Sequence, residues 1–273
     1  MTRRSVFFIS DGTGITAETL GHSLLSQFDT VEFEEQTLPY VDSAEKALAA
    51  VQAINERAHI DEARPIVIDT IIAPELRSIL RTANAFRLDV FDAFVGSLEQ
   101  ELSQHSANTV GKSHAIVSES TYGTRIDAVH FALDNDDGAR TRHYDRADLI
   151  LIGVSRSGKT PTSIYMALQF GIHVANYPLT EEDLVDMNLP AVLRPFKKKL
   201  FGLTIEPQRL AAIRHQRKPD SRYATLRQCE QEIRAATAIY NREGIHYVDS
   251  THLSIEEIST KILAMMGLKR RLV

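Results

Sequence analysis

A glycine-rich loop that follows an apolar run and precedes a helical pattern constrains the fold of this chain more than any other feature. The loop is Gly153-Val-Ser-Arg-Ser-Gly-Lys-Thr160, and the run Ala147-Asp-Leu-Ile-Leu-Ile152 comes directly before it. The short, continuous apolar stretch predicts a buried strand over residues 148–152, and residues 164–170 predict the helix that follows. Pro161 agrees with this prediction, because the first turn of a helix does not need the N–H group that proline lacks.

Loops of this composition between a strand and a helix are typical of phosphate-binding sites. The glycines allow successive backbone N–H groups to point at one anion, the lysine reaches the outer phosphates, and the hydroxyl beside it is placed for Mg²⁺. We therefore predict a catalytic role for Lys159 and a metal-binding role for Thr160. The residues predicted to bind the nucleotide phosphates are Gly153, Val154, Ser155, Arg156, Ser157, Gly158, Lys159 and Thr160. A glycine-rich turn without a ligand is the less favoured alternative.

Composition and charge narrow the class of protein. Of the 273 residues, 43% are hydrophobic and 25% are charged, which is typical of a soluble globular protein. The net charge of −5 argues against nucleic acid as the main partner. Cys229 is the only cysteine, so no internal disulfide can form. The first residues do not match a signal peptide and no apolar run is long enough to span a membrane, so we expect a cytoplasmic protein with no membrane partner.

Strand and helix patterns alternate along the first half of the chain. They predict strands at residues 6–10, 31–38 and 65–71, and helices at residues 15–28, 44–58 and 75–86. Such alternation is typical of a parallel sheet covered by helices. We therefore predict an α/β protein, with an N-terminal parallel-sheet α/β domain at residues 1–105, a connecting segment at 106–139, and a P-loop kinase-like α/β domain at 140–273.

The second half has the expected layout of a small P-loop kinase. A helix from residue 122 or 125 to about 135 leads into it, and strands are predicted at residues 172–177, 200–205 and 245–251. Ser254 and Glu257 have the spacing of a capping box at a helix start. A basic, helical region lies between those strands, and we interpret most of it as a solvated helix face, with a lid over the phosphates as the alternative. Its basic residues are Arg194, Lys197, Lys198, Lys199, Arg209, Arg214, Arg217, Lys218 and Arg222.

An acidic partner for the loop has two candidate positions. Asp249 follows the apolar residues of the last predicted strand, but this is a weak match to the metal-binding aspartate of nucleotide-binding proteins. The segment Asp134-Asn-Asp-Asp-Gly138 lies just before the strand that carries the loop, and clustered carboxylates there can hold a metal or accept a hydroxyl proton. We predict Asp137 as the catalytic carboxylate. Acidic residues before glycine also form simple turns, which is an equally weighted alternative.

Several segments together resemble one family over almost the whole chain. The family is that of the phosphoenolpyruvate synthase regulatory proteins, whose nearest relatives are the pyruvate, phosphate dikinase regulatory proteins. The residues at the two ends of the chain look more like the synthase branch. The segments that carry the resemblance are 9–18, 136–138, 153–163, 170–178, 201–205 and 221–224.

This resemblance implies a bifunctional serine/threonine kinase and phosphotransferase. Members of the family use ADP to phosphorylate a threonine of phosphoenolpyruvate synthase, which leaves AMP and inactivates the synthase. They reverse the reaction with inorganic phosphate and release pyrophosphate. The loop is then expected to hold the β-phosphate of ADP, or inorganic phosphate in the same place, with Arg156 as a further cationic contact and Mg²⁺ on Thr160. Phosphoryl transfer in either direction requires that the protein stabilise the charge of a loose transition state.

Other functions stay open at this point. The target could be pyruvate, phosphate dikinase, the substrate could be a small metabolite, or the protein could be a nucleotide sensor without catalysis. The N-terminal domain argues against a metabolite kinase, which needs only one domain of ordinary size. Lys159 and Thr160 together argue against a sensor. We assign the N-terminal domain, with its glycine-rich turn at residues 10–18, to target docking or to contacts in a homodimer.

Overall fold

The chain forms two compact units, residues 1–116 and residues 117–273. The computed structural model describes residues 2–107, 119–185 and 187–271. Part of the predicted connecting segment 106–139 therefore lies outside the described residues. The described part of that segment includes a helix that packs within the second unit. None of the helices within the described ranges is long and apolar enough to cross a bilayer.

The first unit is a parallel sheet of four strands in the order β2-β1-β3-β4. The central strand β1 is buried on both faces, as expected for a parallel sheet that is covered by helices. Phe7 and Ile9 pack towards α2 and α3, while Val6 and Phe8 pack towards α1. The elements are β1 (Thr2–Ile9), α1 (Ile15–Leu25), β2 (Val31–Leu38), α2 (Ala44–Ile60), β3 (Ile66–Asp69), α3 (Pro74–Leu80), β4 (Phe86–Asp89) and α4 (Val90–Leu102).

The second unit repeats this plan with a parallel sheet in the order β6-β5-β7-β8. Ile150 and Ile152 of β5 pack on the side of α9, while Leu149 and Leu151 pack on the side of α6 and α10. The elements are α5 (Glu119–Asp134), β5 (Leu149–Gly153), α6 (Lys159–Phe170), β6 (Val174–Pro178), α7 (Glu181–Val185), β7 (Leu200–Thr204), α8 (Pro207–Arg217), α9 (Leu226–Glu243), β8 (Tyr247–Asp249) and α10 (Ile255–Met266).

These two sheets confirm the predicted α/β fold class. The strand before the glycine-rich loop, the helix after it and the capping box of Ser254 and Glu257 are also where the patterns predicted them. Pro161 lies in the first turn of α6.

The end of the first unit differs from the prediction. The helix predicted to run to residue 86 ends at Leu80, and β4 then pairs with β3 in parallel register. This strand alternates apolar and charged residues, but Phe86 and Leu88 are the exposed ones, whereas Arg87 and Asp89 are partly buried. Its Arg87 is bound by the buried Asp69 of β3 at 2.6 Å. Asp89 then caps α4 by accepting from the backbone N–H of Asp92 at 3.0 Å.

Helix α5 forms a layer of the second unit although it lies within the segment predicted to connect two domains. Its Ala128 and Ala132 are buried against Ala167 of α6. Small side chains allow the two helices to approach closely, and α5 also contacts the edge strand β6.

Candidate active site

The Gly153–Thr160 loop lies at the point in the second sheet where the strand order reverses. It follows β5, which pairs with β6 on one side and with β7 on the other. In open parallel sheets, the crevice at the carboxyl ends of two such neighbouring strands is the usual ligand position. The topology therefore places the loop where this fold binds its ligands.

The loop conformation depends on two glycines. A Cβ atom at Gly153 would lie 2.6 Å from the carbonyl oxygen of Leu203 on β7, so only glycine allows this close approach. Gly158 has a φ of 94°, a left-handed conformation that glycine adopts without strain. Arg156 also has a positive φ, 75°, which is uncommon for a residue with a side chain.

Lys159 is buried, with 4% of its surface exposed. Its Nζ donates to the carbonyl oxygen of Val154 at 3.0 Å, which folds the side chain back across the loop. Burial lowers the pKa of Lys159 to about 8, although the nearby carboxylates of Asp137 and Asp136 oppose this shift. The ammonium group is therefore poorly solvated, and an anion that enters the loop would stabilise its charge.

The acidic segment 134–138 meets the loop through Asp136. The hydroxyl of Thr160 donates to Asp136 Oδ1 at 2.8 Å, and the amide nitrogen of Asn176 donates to the same oxygen. The side-chain oxygen of Asn176 accepts from the backbone N–H of Asp137 at 2.9 Å. One asparagine on β6 thus holds both aspartates beside the first turn of α6.

Asp137 differs from its neighbour in orientation. Its backbone is left-handed, with a φ of 46°, and the residue is exposed and lines the cavity beside the loop. That cavity has a volume of about 240 Å³. The residues that line it are Asp137, Ser155, Arg156, Gly158, Lys159, Thr160, Pro161, Ile213 and Arg217.

Behind the loop, a buried arginine connects it to α8 and α9. Arg214 is fully buried and donates through Nη2 to the backbone carbonyl oxygen of Ser155 at 3.1 Å and to Glu232 at 2.6 Å. Its guanidinium stacks on the ring of Tyr223, 4.1 Å from the centroid. The hydroxyl of Tyr223 is 2.8 Å from that of Ser155. Contrary to its sequence-based assignment to a solvated or lid-forming region, Arg214 is therefore a core residue that holds the loop.

Several of the predicted site residues come together at the cavity, and others do not. Lys159, Thr160 and Asp137 line it together. Val154 and Ser157 are each 1% exposed, and neither residue lines it. Asp249 ends β8, which is separated from β5 by β7, and its carboxylate accepts from the N–H of Thr251 at 2.8 Å.

Asn176, Arg214 and Tyr223 contribute to the site without having been predicted for it. Asn176 and Tyr223 lie in segments that carry the family resemblance, which is the one signal that could have drawn attention to them. Arg214 was counted among the basic residues of a helical region. Its burial depends on Glu232, which lies in a different helix, so a local pattern could not distinguish it.

These residues could bind Mg²⁺ only if a bound ligand supplied further oxygen atoms to the ion. The described residues contain no group of three or more histidine, cysteine, aspartate or glutamate side chains that could hold a metal. Mg²⁺ is commonly bound by one or two protein oxygens together with waters and substrate phosphates. The hydroxyl of Thr160 and the carboxylate of Asp136, which are hydrogen-bonded to each other, match that smaller set.

A glycine-rich loop with a buried lysine, at the switch point of a parallel sheet and beside a carboxylate, is the architecture of the α/β proteins that handle phosphoryl groups. Comparison with known protein families shows which family the chain belongs to. The family model described as kinase/pyrophosphorylase matches residues 6–263, and the chain belongs to this family. The resemblance inferred from the sequence is thereby confirmed, and family membership supports a kinase or phosphotransferase activity.

Close relatives cover the full length of the chain. A protein of Pseudomonas savastanoi pv. phaseolicola is 59% identical over 98% of this chain and 99% of its own. One of Pseudomonas fluorescens strain Pf-5 is 61% identical with the same coverage, and one of Stutzerimonas stutzeri is 58% identical over 99% of both chains. Each of the three carries the provisional name of phosphoenolpyruvate synthase regulatory protein.

Proposed function

We propose that this protein both phosphorylates and dephosphorylates a threonine of phosphoenolpyruvate synthase at the cavity beside the Gly153–Thr160 loop. ADP is the donor for phosphorylation, and inorganic phosphate is the acceptor for the reverse reaction. The observation that carries the proposal is that the buried Lys159 and the exposed Asp137 line one cavity. The names of the relatives supply the target.

In the phosphorylation step, the threonine oxygen of the target attacks the β-phosphorus of ADP. The new O–P bond forms as the bond from the β-phosphorus to the bridging oxygen breaks, and AMP leaves with that oxygen. The threonine proton passes to the carboxylate of Asp137. Among the described residues, Asp137 is the carboxylate that faces the cavity, since Asp136 is engaged by Thr160 and Asn176.

In the reverse step, an oxygen of inorganic phosphate attacks the phosphorus of the phosphothreonine. The bond from that phosphorus to the threonine oxygen breaks, a proton returns to the threonine oxygen, and pyrophosphate leaves. The two reactions transfer a phosphoryl group between a threonine oxygen and a phosphate oxygen. One set of residues therefore serves both directions.

Charge stabilisation is the main contribution of the loop. Phosphoryl transfer has a loose transition state with charge on the peripheral oxygens, so fixed donors lower its energy. Lys159 and the backbone N–H groups at the start of α6 are such donors. Thr160 and Asp136 are the residues that would hold Mg²⁺, and the ion would neutralise part of the phosphate charge.

The proposal predicts that Lys159→Met reduces both reactions by at least about a hundredfold, because a preorganised charge at the transferred group is lost. Methionine has a similar length, which keeps the buried space filled. Initial rates of ADP-dependent phosphorylation and of phosphate-dependent dephosphorylation of purified synthase test this prediction.

Lys198→Met is the matched control, since Lys198 is an exposed lysine of the same unit that does not line the cavity. It should leave both rates close to those of the wild type. If Lys159→Met lowers one rate and leaves the other unchanged, a single site for both reactions is excluded.

A further inference from the structure

One face of α8 borders the cavity opposite the loop. Ile213 and Arg217 both line the cavity, and they are four positions apart, which places them on the same side of a helix. Arg217 is exposed and lies in the last turn of α8. Within the described part of the chain, its guanidinium has no hydrogen bond or ion pair, so its donors are available to a ligand.

The position of α8 relative to the loop is fixed by Arg214. This residue donates to the backbone of Ser155 in the loop at 3.1 Å and to the carbonyl oxygen of Tyr223 at 3.1 Å, and it pairs with Glu232 of α9. A buried side chain with these partners cannot move without leaving polar groups unpaired. These contacts hold the backbone of α8 beside the loop, and Arg217 lies three residues further along the same helix.

The charge of the cavity indicates what it binds. Lys159, Arg156 and Arg217 line it as cations, against the single carboxylate of Asp137. An anion with several charged oxygens, such as two linked phosphoryl groups, matches this surplus of positive charge.

We propose that Arg217 binds the phosphoryl group that is not transferred. This group is the α-phosphate of ADP in one direction and inorganic phosphate in the other. The inference rests on the proposed function, since both reactions pass through two phosphoryl groups joined by an oxygen. If the transferred group lies in the loop each time, the second group must lie beside the loop, where the planar donor fork of Arg217 can bind two of its oxygens.

This assignment moves inorganic phosphate away from the position expected from the sequence. That expectation placed it in the loop, where the β-phosphate of ADP binds. During reversal the phosphothreonine phosphoryl group occupies the loop, so the attacking phosphate takes the neighbouring subsite. ADP and inorganic phosphate still exclude each other, because the α-phosphate of ADP fills that same subsite.

The test uses the full-length protein with Arg217→Ala. We expect the KM for inorganic phosphate in dephosphorylation to rise at least tenfold, with a smaller change in kcat. Calorimetry with inorganic pyrophosphate should show at least tenfold weaker binding, whereas free inorganic phosphate, which can still enter the loop, should lose less than threefold. Arg217→Lys should fall between the wild type and Arg217→Ala, since lysine keeps the charge and lacks the fork.

Arg209→Ala is the matched control, because Arg209 is an exposed arginine of the same helix that does not line the cavity. Equal behaviour of Arg217→Ala and Arg209→Ala would overturn the inference and leave the proposed function intact. Loss of pyrophosphate binding in Arg156→Gly but not in Arg217→Ala would also overturn it. A wild-type protein that neither binds pyrophosphate nor dephosphorylates the synthase would overturn the proposed function as well.

Discussion

At the scale of single residues, two adjacent aspartates have different surroundings. Asp136 accepts hydrogen bonds from Thr160 and Asn176, so its carboxylate holds the local structure together. Asp137 is held through its backbone N–H, and its carboxylate is left facing the cavity. Asp137 is therefore the residue whose carboxylate can accept a proton, while Asp136 positions Thr160.

This difference predicts distinct effects of two conservative substitutions. Asp137→Asn should lower kcat of phosphorylation by about a hundredfold or more, since an amide cannot accept the threonine proton. ADP affinity, measured by calorimetry, should stay nearly unchanged. Asp136→Asn should instead weaken ADP binding as well, because it disturbs the contact to Thr160. Normal turnover by Asp137→Asn would show that residues 136–138 form only a structural turn and that Asp137 is not the proton acceptor.

At the scale of the elements, a buried ion pair joins α8 to α9 and both to the loop. Arg214 and Glu232 are 2.6 Å apart, and both are almost fully buried. Breaking such a pair by removing one partner costs about 3–5 kcal/mol, whereas replacing both partners with apolar groups is often close to neutral. The same arginine also holds the Ser155 carbonyl, which an apolar replacement cannot do.

Substitutions of Arg214 and Glu232 should therefore affect stability and activity differently. Arg214→Met should lower the free energy of unfolding by about 3–5 kcal/mol. The double variant Arg214→Met with Glu232→Met should recover much of this loss in chemical denaturation. Its activity should stay low, because the loop still lacks its anchor. Recovery of full activity in the double variant would show that Arg214 contributes only to stability.

At the scale of the whole molecule, the two units each have their own sheet and core. The second unit includes α5, whose Ala128 and Ala132 pack against Ala167 of α6. It also includes Asp136 and Asp137, which precede β5. We therefore infer that a functional second unit begins before α5, whereas the sequence pattern placed the domain boundary at residue 140.

Two fragments test this boundary. Residues 117–273 should fold cooperatively and bind ADP. Residues 140–273 should be less stable and should bind ADP weakly or not at all, because they lack both the helix that covers α6 and the contact from Asp136 to Thr160. Thermal unfolding and calorimetry provide the comparison. Equal ADP affinity of the two fragments would show that α5 and the acidic segment are dispensable for binding.

Local sequence patterns were sufficient for most strands and helices and for the central loop of the site, although they missed β4 and α4. The apolar run before Gly153, the glycine spacing of the loop and the capping box of Ser254 each depend on residues within one turn or one strand of each other. Outside residues 86–102, such short-range signals predicted the alternation of strands and helices that is typical of parallel sheets. They also predicted that Lys159 and Thr160 belong to the same site, since these residues are adjacent in the chain.

Contacts between residues that are distant in the chain could not be predicted in this way. The bond from Asn176 to Asp136, the pairing of Arg214 with Glu232 and the position of Arg217 at the cavity all depend on how separate elements pack. A basic residue on a helix has the same local pattern whether it faces solvent, a carboxylate or a ligand. Its role is set by the partner that folding places beside it, because the energy of a charge depends on its surroundings.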